Sequence, residues 1–542
     1  MYGLGLSIEC YTGCRPWKTP IRSLILFLLH MKKRKDWFKP KKYPHIGLPL
    51  ELKDRHKVEC YVRNPQKISH HSFLPLIRRE QVSHRYREQD GITKRTTKRR
   101  PISYAAHLDA QIYSYYGQIL EKRYENYLKT YGYGESVISY RSLSRENDKG
   151  NKCNIDLAKD AFEHICKVGA LSEQIVIIAD IKSFFDKLDH RMLKAAWKEV
   201  SGFDSMPEDE YAVFKHVTRF AYVNAQELFN VYRTRILCQQ KTKVTERTLS
   251  SMKFFRDKDA LAFCDKDSIA DIRKYGMIHK NESNFGIPQG LPISAVLANI
   301  YMWRFDRTIL DYLRSIGGYY RRYSDDIIIV CDGNKHDEVL SILQELISKE
   351  ELTIAEDKTS VFIVKKEDGR LKVTDERTKK QAVIEYLGLS FDGNVIRLKN
   401  KSISKYYHKM KRTVNAKTHF AIKKTDKTGG VLFVRQLLKK YTPIGSKRHI
   451  IFRRSRLDGS RFFNTGVKSF GNFWTYAKKA AKICNSPAIT HQLKSNKRIL
   501  RARILKAKHI ISEVRDKKRL ADFGSSRKSG ARERKKSVKF GV

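Results

Sequence analysis

Apolar residues recur along this chain with two different periods, and each marks a kind of element. From Ala105 to about Leu128, the residues Leu108, Ile112, Tyr116, Ile119, Leu120 and Tyr124 stand mostly three or four apart, which predicts an amphipathic helix. The run Gln174-Ile-Val-Ile-Ile-Ala179 is continuous and β-branched and ends on Asp180. That is the pattern of a buried strand delivering a carboxylate at its end. A second helix is expected from Ile293 to Ile316, after Pro292 and stopped by Gly317-Gly318. Two short strands, Tyr319 to Tyr323 and Ile327 to Cys331, then flank a turn. Residues 129–152 read as loop, and residues 236–282, rich in Lys, Asp and Ser, read as an insertion for RNA binding or assembly. After Gly393 the chain turns to basic helical segments with an aromatic cluster at Phe470, Phe473, Trp474 and Tyr476. Helix packing is the favoured role for that cluster, with base stacking as the alternative. From about Arg515 apolar periodicity is lost, and residues 515–542 are expected to be a flexible basic tail. No internal repeat is present.

Composition adds limits. With 41% hydrophobic and 11% aromatic residues over 542 positions, wholesale disorder is excluded. No segment approaches the roughly 20 apolar residues of a spanning helix. The best run, Leu24 to Leu29, is followed by Lys32, Lys33, Arg34 and Lys35, the reverse of a signal peptide's charge order. The nine cysteines are scattered and odd in number, which suits a reducing cytoplasm and argues against a disulfide framework. No membrane partner is expected. Met31 opens a segment unlike the thirty residues before it, so residues 1–30 are read as an over-extended start and residues 31–90 as a basic N-terminal extension. The intact mass of the naturally expressed protein tests that start.

The formal charge of +51 is regional. Residues 1–100 hold 24 basic and 8 acidic side chains (+16), residues 101–400 hold 45 and 44 (+1), and residues 401–542 hold 40 and 6 (+34). Such an excess at the ends points to a polyanion, and nucleic acid fits best because phosphate contacts release counterions.

Three carboxylates carry the candidate chemistry: Asp180 after the buried strand, and Asp325-Asp326 at the strand turn. An Asp–Asp pair at a turn can be explained by side-chain bonds to its own backbone. Two strands that both deliver carboxylates, in a chain with cationic flanks, suit hard divalent ions and phosphoryl transfer.

The strings Ala179-Asp-Ile-Lys-Ser-Phe-Phe-Asp186, Gly286-Ile-Pro-Gln-Gly-Leu-Pro-Ile-Ser294, Arg322-Tyr-Ser-Asp-Asp-Ile327 and Glu385-Tyr-Leu-Gly-Leu389 resemble, in order, the blocks of reverse transcriptases. The resemblance implies an α+β right-hand polymerase, with fingers and a ferredoxin-like palm over residues 91–395. A basic, mainly helical thumb and nucleic-acid-binding region follows over 396–514. It makes Asp180, Asp325 and Asp326 the ligands of two Mg²⁺ ions (or Mn²⁺), with the Ile181 carbonyl as a further ligand. Phe185 matches the steric gate against a ribose 2′-hydroxyl, although Phe184-Phe185 could equally supply core rings. Gln289 matches the residue lying against the incoming nucleotide, and Lys98 and Arg100 match the cations that hold its triphosphate. Lys358 matches a general acid toward pyrophosphate, and Tyr386, Leu387 and Gly388 match the primer support. Each of these could also be an ordinary surface, strand or turn residue.

Lys98 to Tyr116, with Tyr104-Ala-Ala-His-Leu-Asp109, resembles bacterial defence-associated reverse transcriptases. That implies cDNA synthesis on a structured noncoding RNA template in antiviral (anti-phage) defence. The partners would be that RNA, the DNA product and deoxynucleoside triphosphates, with self-association open. A retron-like or group II intron-like mobile-element enzyme, or an RNA-binding protein with a vestigial site, are the alternatives.

Overall fold

The computed structural model describes residues 36–89, 92–145, 150–240, 243–423, 430–454 and 462–537. The expected start at Met31, the run Leu24 to Leu29 and Lys32 to Lys35 lie outside the described residues.

At the N-terminal end, β1 (His45–Ile46) and helices Arg55–Val62 and Pro65–Ser69 lead into a long antiparallel hairpin of β2 (Leu76–Gln89) and β3 (Ile92–Tyr104). The boundary expected at residue 90 lies outside the described residues, and the stretch read as a basic extension supplies β2. The helix expected from Ala105 is His107–Thr130, buried along Ala110, Tyr113, Gly117, Leu120 and Tyr124. Trp37 and Lys39 dock on it: Ser114 donates to the Trp37 carbonyl at 2.8 Å, and Gln111 exchanges two bonds with the Lys39 backbone.

Helix Asn154–Gly169 precedes β4 (Gln174–Asp180), which matches the expected strand. After β4 come a short helix Phe184–Lys187, helices His190–Ser201 and Glu208–Thr218, β5 (Ala221–Asn224) and helix Ala225–Tyr232. The described residues of the stretch 236–282 form strands and a short helix. Its β6 (Ile236–Gln240), β7 (Lys243–Arg247) and β8 (Ala260–Cys264) join β1 in a sheet ordered β1-β8-β6-β7, and β9 (His279–Lys280) pairs with β5. Leu249, Phe263 and Ile272 pack into a core shared with Ile46, Ile77, Val223 and Phe229, beneath the charged exterior. β5 in turn lies parallel to β2, which ties this unit to the fingers hairpin.

The expected helix Ile293–Ile316 is two helices, Ser294–Tyr301 and Trp303–Ser315. At Met302 the ladder tightens to a bond from its N–H to the Asn299 carbonyl, three residues back. No Gly or Pro marks the break. Next come β10 (Tyr319–Tyr323), β11 (Asp326–Asp332), helix His336–Lys349, β12 (Ser360–Glu367) and β13 (Arg370–Asp375). The resulting antiparallel sheet has the order β10-β11-β4-β12-β13. Its βαββαβ core, with the second strand pair slotted beside the first strand, is the ferredoxin-like arrangement expected of a palm.

Alternation across this sheet serves two cores. Ile175, Ile177, Ile327 and Ile329 face the helices of the fingers side. Val176, Ile328 and Val330 face the opposite core, shared with helix Asn154–Gly169 and with β14 (Ile384–Tyr386), β15 (Leu389–Phe391) and β16 (Ile396–Leu398). Because side chains alternate with period 2, Asp180 and Asp326 fall on this second face. The C-terminal region adds helices Asn400–Lys423 and Val434–Tyr441, a hairpin of β17 (Ile450–Arg454) and β18 (Phe462–Lys468), and helices Phe473–Ile483 and Ala488–His491. It closes with helix Asn496–Ser537, which runs through most of the stretch expected to be a flexible tail. Arg and Lys, both good helix formers, recur along that stretch without an apolar stripe to announce a helix.

Candidate active site

β4 and β11 pair so that Asp180 stands directly opposite Asp326. Like charges facing each other across a strand pair are destabilising, so the register itself calls for a cation. Asp325 completes the group from the two-residue loop Ser324-Asp325 that joins β10 to β11. Ser324 adopts φ 60°, the positive φ that tight hairpin turns require, and is buried. The Ile181 N–H donates to the Asp325 carbonyl at 3.0 Å, which ties the strand end to the turn. Burial raises the Asp325 carboxyl, with Asp180 adding to the effect. Burial, then Asp325 and Asp180, pushes Asp326 up to about 6 against the opposing pull of Lys399 and Lys358.

The turn is buttressed from behind by an ion pair that the sequence pattern did not single out. Arg322 and Asp306 are both fully buried. Arg322 Nε and Nη2 reach Asp306 Oδ1 and Oδ2 at 2.7 and 2.5 Å, and the Tyr320 hydroxyl donates to Oδ1 at 2.5 Å. Nη1 of Arg322 donates to the Ser324 carbonyl at 3.1 Å, so the guanidinium holds the loop that carries Asp325. A usable signal existed: Asp306 sits on the apolar stripe Phe305, Ile309, Leu310, Leu313, and Arg322 alternates with Tyr320 on the inward face of β10.

The other expected residues gather around these carboxylates to differing degrees. The Lys358 ammonium contacts Asp180 Oδ1 directly, and the Asp180 carbonyl accepts from the Ala355 N–H at 2.8 Å, which holds the Lys358 turn to β4. Ile181 has its side chain in the core, so only its backbone can serve a ligand. Ser183, at φ 51°, bends the chain out of β4 into helix Phe184–Lys187. There Phe184 is buried in the core while Phe185 is only half-buried, which separates the two rings' roles. The loop after Phe285 braces this helix: Ile287 N–H donates to the Phe185 carbonyl at 2.9 Å and Gly286 N–H to that of Leu188 at 2.8 Å. Half-buried Gln289 is tied to β3, its carbonyl accepting from the Ser103 N–H at 2.9 Å. Gly290 has φ 118°, and a Cβ there would run into the Ser103 carbonyl oxygen.

Lys98 and Arg100 lie on β3 rather than in a loop, two residues apart and thus on one face, opposite Ser83 and Gln81. Arg100 is exposed and Lys98 half-buried. Tyr386 differs from the expectation of a primer contact: its side chain is buried and its hydroxyl makes no hydrogen bond, so it anchors the turn from inside. Leu387 and Gly388, at φ 44° and 91°, form the two-residue turn itself and are half-buried. A groove of about 1510 Å³ between β2 and helix Asn400–Lys423 is lined by His84, Lys405, Lys409, Arg412 and Lys417, a cationic channel. Phe473 and Trp474 pack against the thumb core, whereas Phe470 is 89% exposed.

The donor set fits hard divalent cations: three carboxylates and a backbone carbonyl, two of the carboxyls raised in part by mutual repulsion that a cation relieves. Among the described residues no three Asp, Glu, His or Cys side chains already converge as ligands. A cation shared by the triad would compete with the Lys358 ammonium for Asp180.

The family model for reverse transcriptase (RNA-dependent DNA polymerase) matches residues 92–391, more than half of the chain. The chain belongs to the reverse transcriptase family, a family whose members generally use divalent metal ions. The chain is also similar to solved telomerase structures. Apo telomerase of Candida tropicalis truncated from the C-terminal domain has 11% identity and a TM-score of 0.30, covering 59% of this chain and 55% of that one. Telomerase of Candida albicans in complex with a TWJ fragment of telomeric RNA has 14% identity and a TM-score of 0.34, covering 88% and 67%. The chain thus spans about half the length of the first of these. No curated protein matches it. Among the described residues no helix is long and apolar enough to cross a membrane.

Proposed function

We propose that this chain is an RNA-directed DNA polymerase that copies a structured noncoding RNA into cDNA in bacterial antiviral defence. The observation that carries the polymerase reading is the Asp180–Asp326 register with Asp325 in the adjoining turn. Asp180, Asp325 and Asp326, with the Ile181 carbonyl, would hold two Mg²⁺ ions, or Mn²⁺. Bound there, such ions would activate the primer 3′-hydroxyl and stabilise the leaving pyrophosphate oxygen. Arg100 would grip the triphosphate bidentately and Lys98 as a point charge. The half-buried ring of Phe185 would clash with a 2′-hydroxyl, favouring deoxynucleotides, and Gln289 would lie against the incoming nucleotide. Lys358 would leave Asp180 to give its Nζ proton to pyrophosphate. Leu387 and Gly388 would support the primer end, held from inside by Tyr386. The cationic groove beside helix Asn400–Lys423 suits a template–product duplex.

The defence role and the noncoding RNA template rest on the string Lys98 to Tyr116, cytoplasmic residence on the cysteine pattern. Sequencing the RNA and DNA that copurify from cells tests the reading. A single enriched noncoding RNA with complementary DNA is expected, with the DNA missing from an Asp325→Ala/Asp326→Ala preparation. DNA that persists in that preparation, or cDNA drawn from random cellular transcripts, would count against it.

A further inference from the structure

Helix Asn496–Ser537 is firmly seated where it begins. Asn496 donates to the Tyr441 carbonyl at 2.6 Å and accepts from the Tyr406 hydroxyl at 3.0 Å. Just before it, Gln492 exchanges two bonds of 2.9 Å with the backbone of Leu398 in β16, the strand paired with β15. Leu500, Ile504, Ala507 and Ile511, spaced three and four apart, then form a buried stripe in the core that also holds Met410 and Val414 of helix Asn400–Lys423.

The outer side of the same turns is cationic. Residues 494–512 contain seven Lys or Arg and no Asp or Glu. Lys494, Lys497, Arg498, Arg501, Lys506 and Lys508 are exposed, and none of them forms an ion pair with a described residue. Other helices of this chain pair their surface cations one turn away, Lys159 with Glu163 at 3.1 Å and Lys349 with Glu345 at 2.6 Å. Here Arg501 has Lys497 and Arg498 at those spacings, and like charges so placed destabilise a helix. Such a face gains from an external polyanion. Arg498, Arg501, Leu505 and Lys508 fall on one side of the helix over about 15 Å, enough to meet several phosphates of one strand.

The side chains choose among polyanions. Unpaired bases need rings to stack on, and residues 494–520 contain no Phe, Trp or Tyr. A protein interface has an apolar centre and few lysines, whereas the one large apolar side chain exposed between Lys494 and Lys508 is Leu505, at 60%. A membrane-surface helix would need its apolar stripe, which is buried in the thumb. A duplex held by its phosphates fits what is left. The groove beside helix Asn400–Lys423 is lined by Lys405, Lys409 and Arg412 and by no residue of helix Asn496–Ser537, so a duplex on the outer face would be a second one.

We infer that the outer face of helix Asn496–Ser537, from Lys497 to Lys508, docks a double-stranded part of a structured RNA through its phosphates. The assignment rests on the reading that this polymerase carries a structured RNA, and it names where a stem of that RNA sits. Because the helix is bonded to β16, the docked stem would be held at a fixed distance from the Leu387-Gly388 turn.

The test uses the full chain, saturated with an unlabelled RNA–DNA template–primer so that the groove is filled, and titrated with a labelled RNA duplex of about 20 base pairs, longer than the roughly 16 that a double-stranded-RNA domain spans. Lys497→Gln/Arg498→Gln/Arg501→Gln/Lys508→Gln should weaken duplex binding about tenfold or more. The slope of log affinity against log salt should fall by about three, at about 0.7–0.9 for each lost phosphate contact. Gln keeps the helix propensity of Lys and Arg, and the single variants Arg498→Gln and Lys508→Gln should each lower the slope by about one. A charge-matched variant on the exposed insertion surface, Lys253→Gln/Arg256→Gln/Arg273→Gln/Lys274→Gln, should lose less than about threefold. Unchanged affinity and slope in the helix variants, or an equal loss in the charge-matched one, would overturn the assignment. Tighter binding of a DNA duplex or of polyglutamate than of the RNA duplex would reassign the face to DNA or to an acidic protein. Loss of binding to phosphatidylcholine–phosphatidylserine vesicles with duplex affinity intact would reassign it to a membrane. Primer extension on the preassembled template separates the two claims. Wild type that binds the RNA duplex through this face but extends nothing overturns the polymerase reading alone, and extension with duplex affinity indifferent to the four cations overturns the docking face alone.

Discussion

Replacing Asp306 with Ala would leave the fully buried Arg322 guanidinium without its counter-charge. Three bonds disappear together: two from the guanidinium, at 2.7 and 2.5 Å, and one from the Tyr320 hydroxyl at 2.5 Å. Breaking a buried ion pair by removing one partner costs about 3–5 kcal/mol, and orphaning the hydroxyl adds about 1–3. That is a large part of a total stability on the order of 5–15 kcal/mol. Asp306→Leu combined with Arg322→Met replaces the pair by apolar side chains and should recover most of the loss. Primer extension by that double variant should nonetheless stay low, because Arg322 also holds the Ser324 carbonyl in the turn carrying Asp325. Urea unfolding followed by tryptophan fluorescence reads the first effect, and the extension rate at saturating primer–template reads the second. An Asp306→Ala protein within about 1 kcal/mol of wild type would refute the buried-charge reasoning, since an unpaired buried charge cannot be that cheap. Full activity in the Leu/Met variant would refute the positioning role.

Three further outcomes are expected. Phe185→Ala should admit ribonucleotides in primer extension, because the half-buried ring is the one left to face the sugar while Phe184 packs inside; unchanged sugar selectivity would remove its gate role. Gly290→Ala should destabilise the loop that carries Gln289 and raise KM for deoxynucleotides, since its Cβ would collide with the Ser103 carbonyl and φ is 118°; wild-type kinetics would show that this turn is not needed. Burial pushes the Glu350 carboxyl up from 4.5 to about 7. With the folded value above the unfolded one, its contribution is present below about pH 4.5 and lost as pH rises through about 7. Glu350→Gln should therefore be more stable than wild type above pH 7, by on the order of 3 kcal/mol, and should converge with it in acid, as urea unfolding at several pH values would register.

What could be read from the sequence follows a physical divide. β4, the helix His107–Thr130 and the β10–β11 pair were legible because burial imposes a period, and the order of the Asp180, Gln289 and Asp325-Asp326 strings made the site readable before any geometry. Nonlocal pairing was not legible. β1 is two residues long and exists because β8, more than two hundred residues later, lies beside it. Lys and Asp dominate the insertion's composition, so short buried runs such as Ala260–Cys264 were read only as part of a charged insertion. The break at Met302 has no Gly or Pro to announce it, so the apolar pattern runs across it as one helix. Arg322 was visible as part of a motif but not as its anchor, because that role requires Asp306 on another element.

The central claim is that Asp180, Asp325 and Asp326 form a divalent-cation site for DNA synthesis on an RNA template. The most direct measurement is Mg²⁺-dependent deoxynucleotide incorporation by Asp325→Ala/Asp326→Ala, alongside RNA affinity for the same preparation. We expect incorporation to be abolished and RNA binding to be largely retained, since none of the three carboxylates lines the cationic groove. Undiminished incorporation by the double variant would contradict the site assignment.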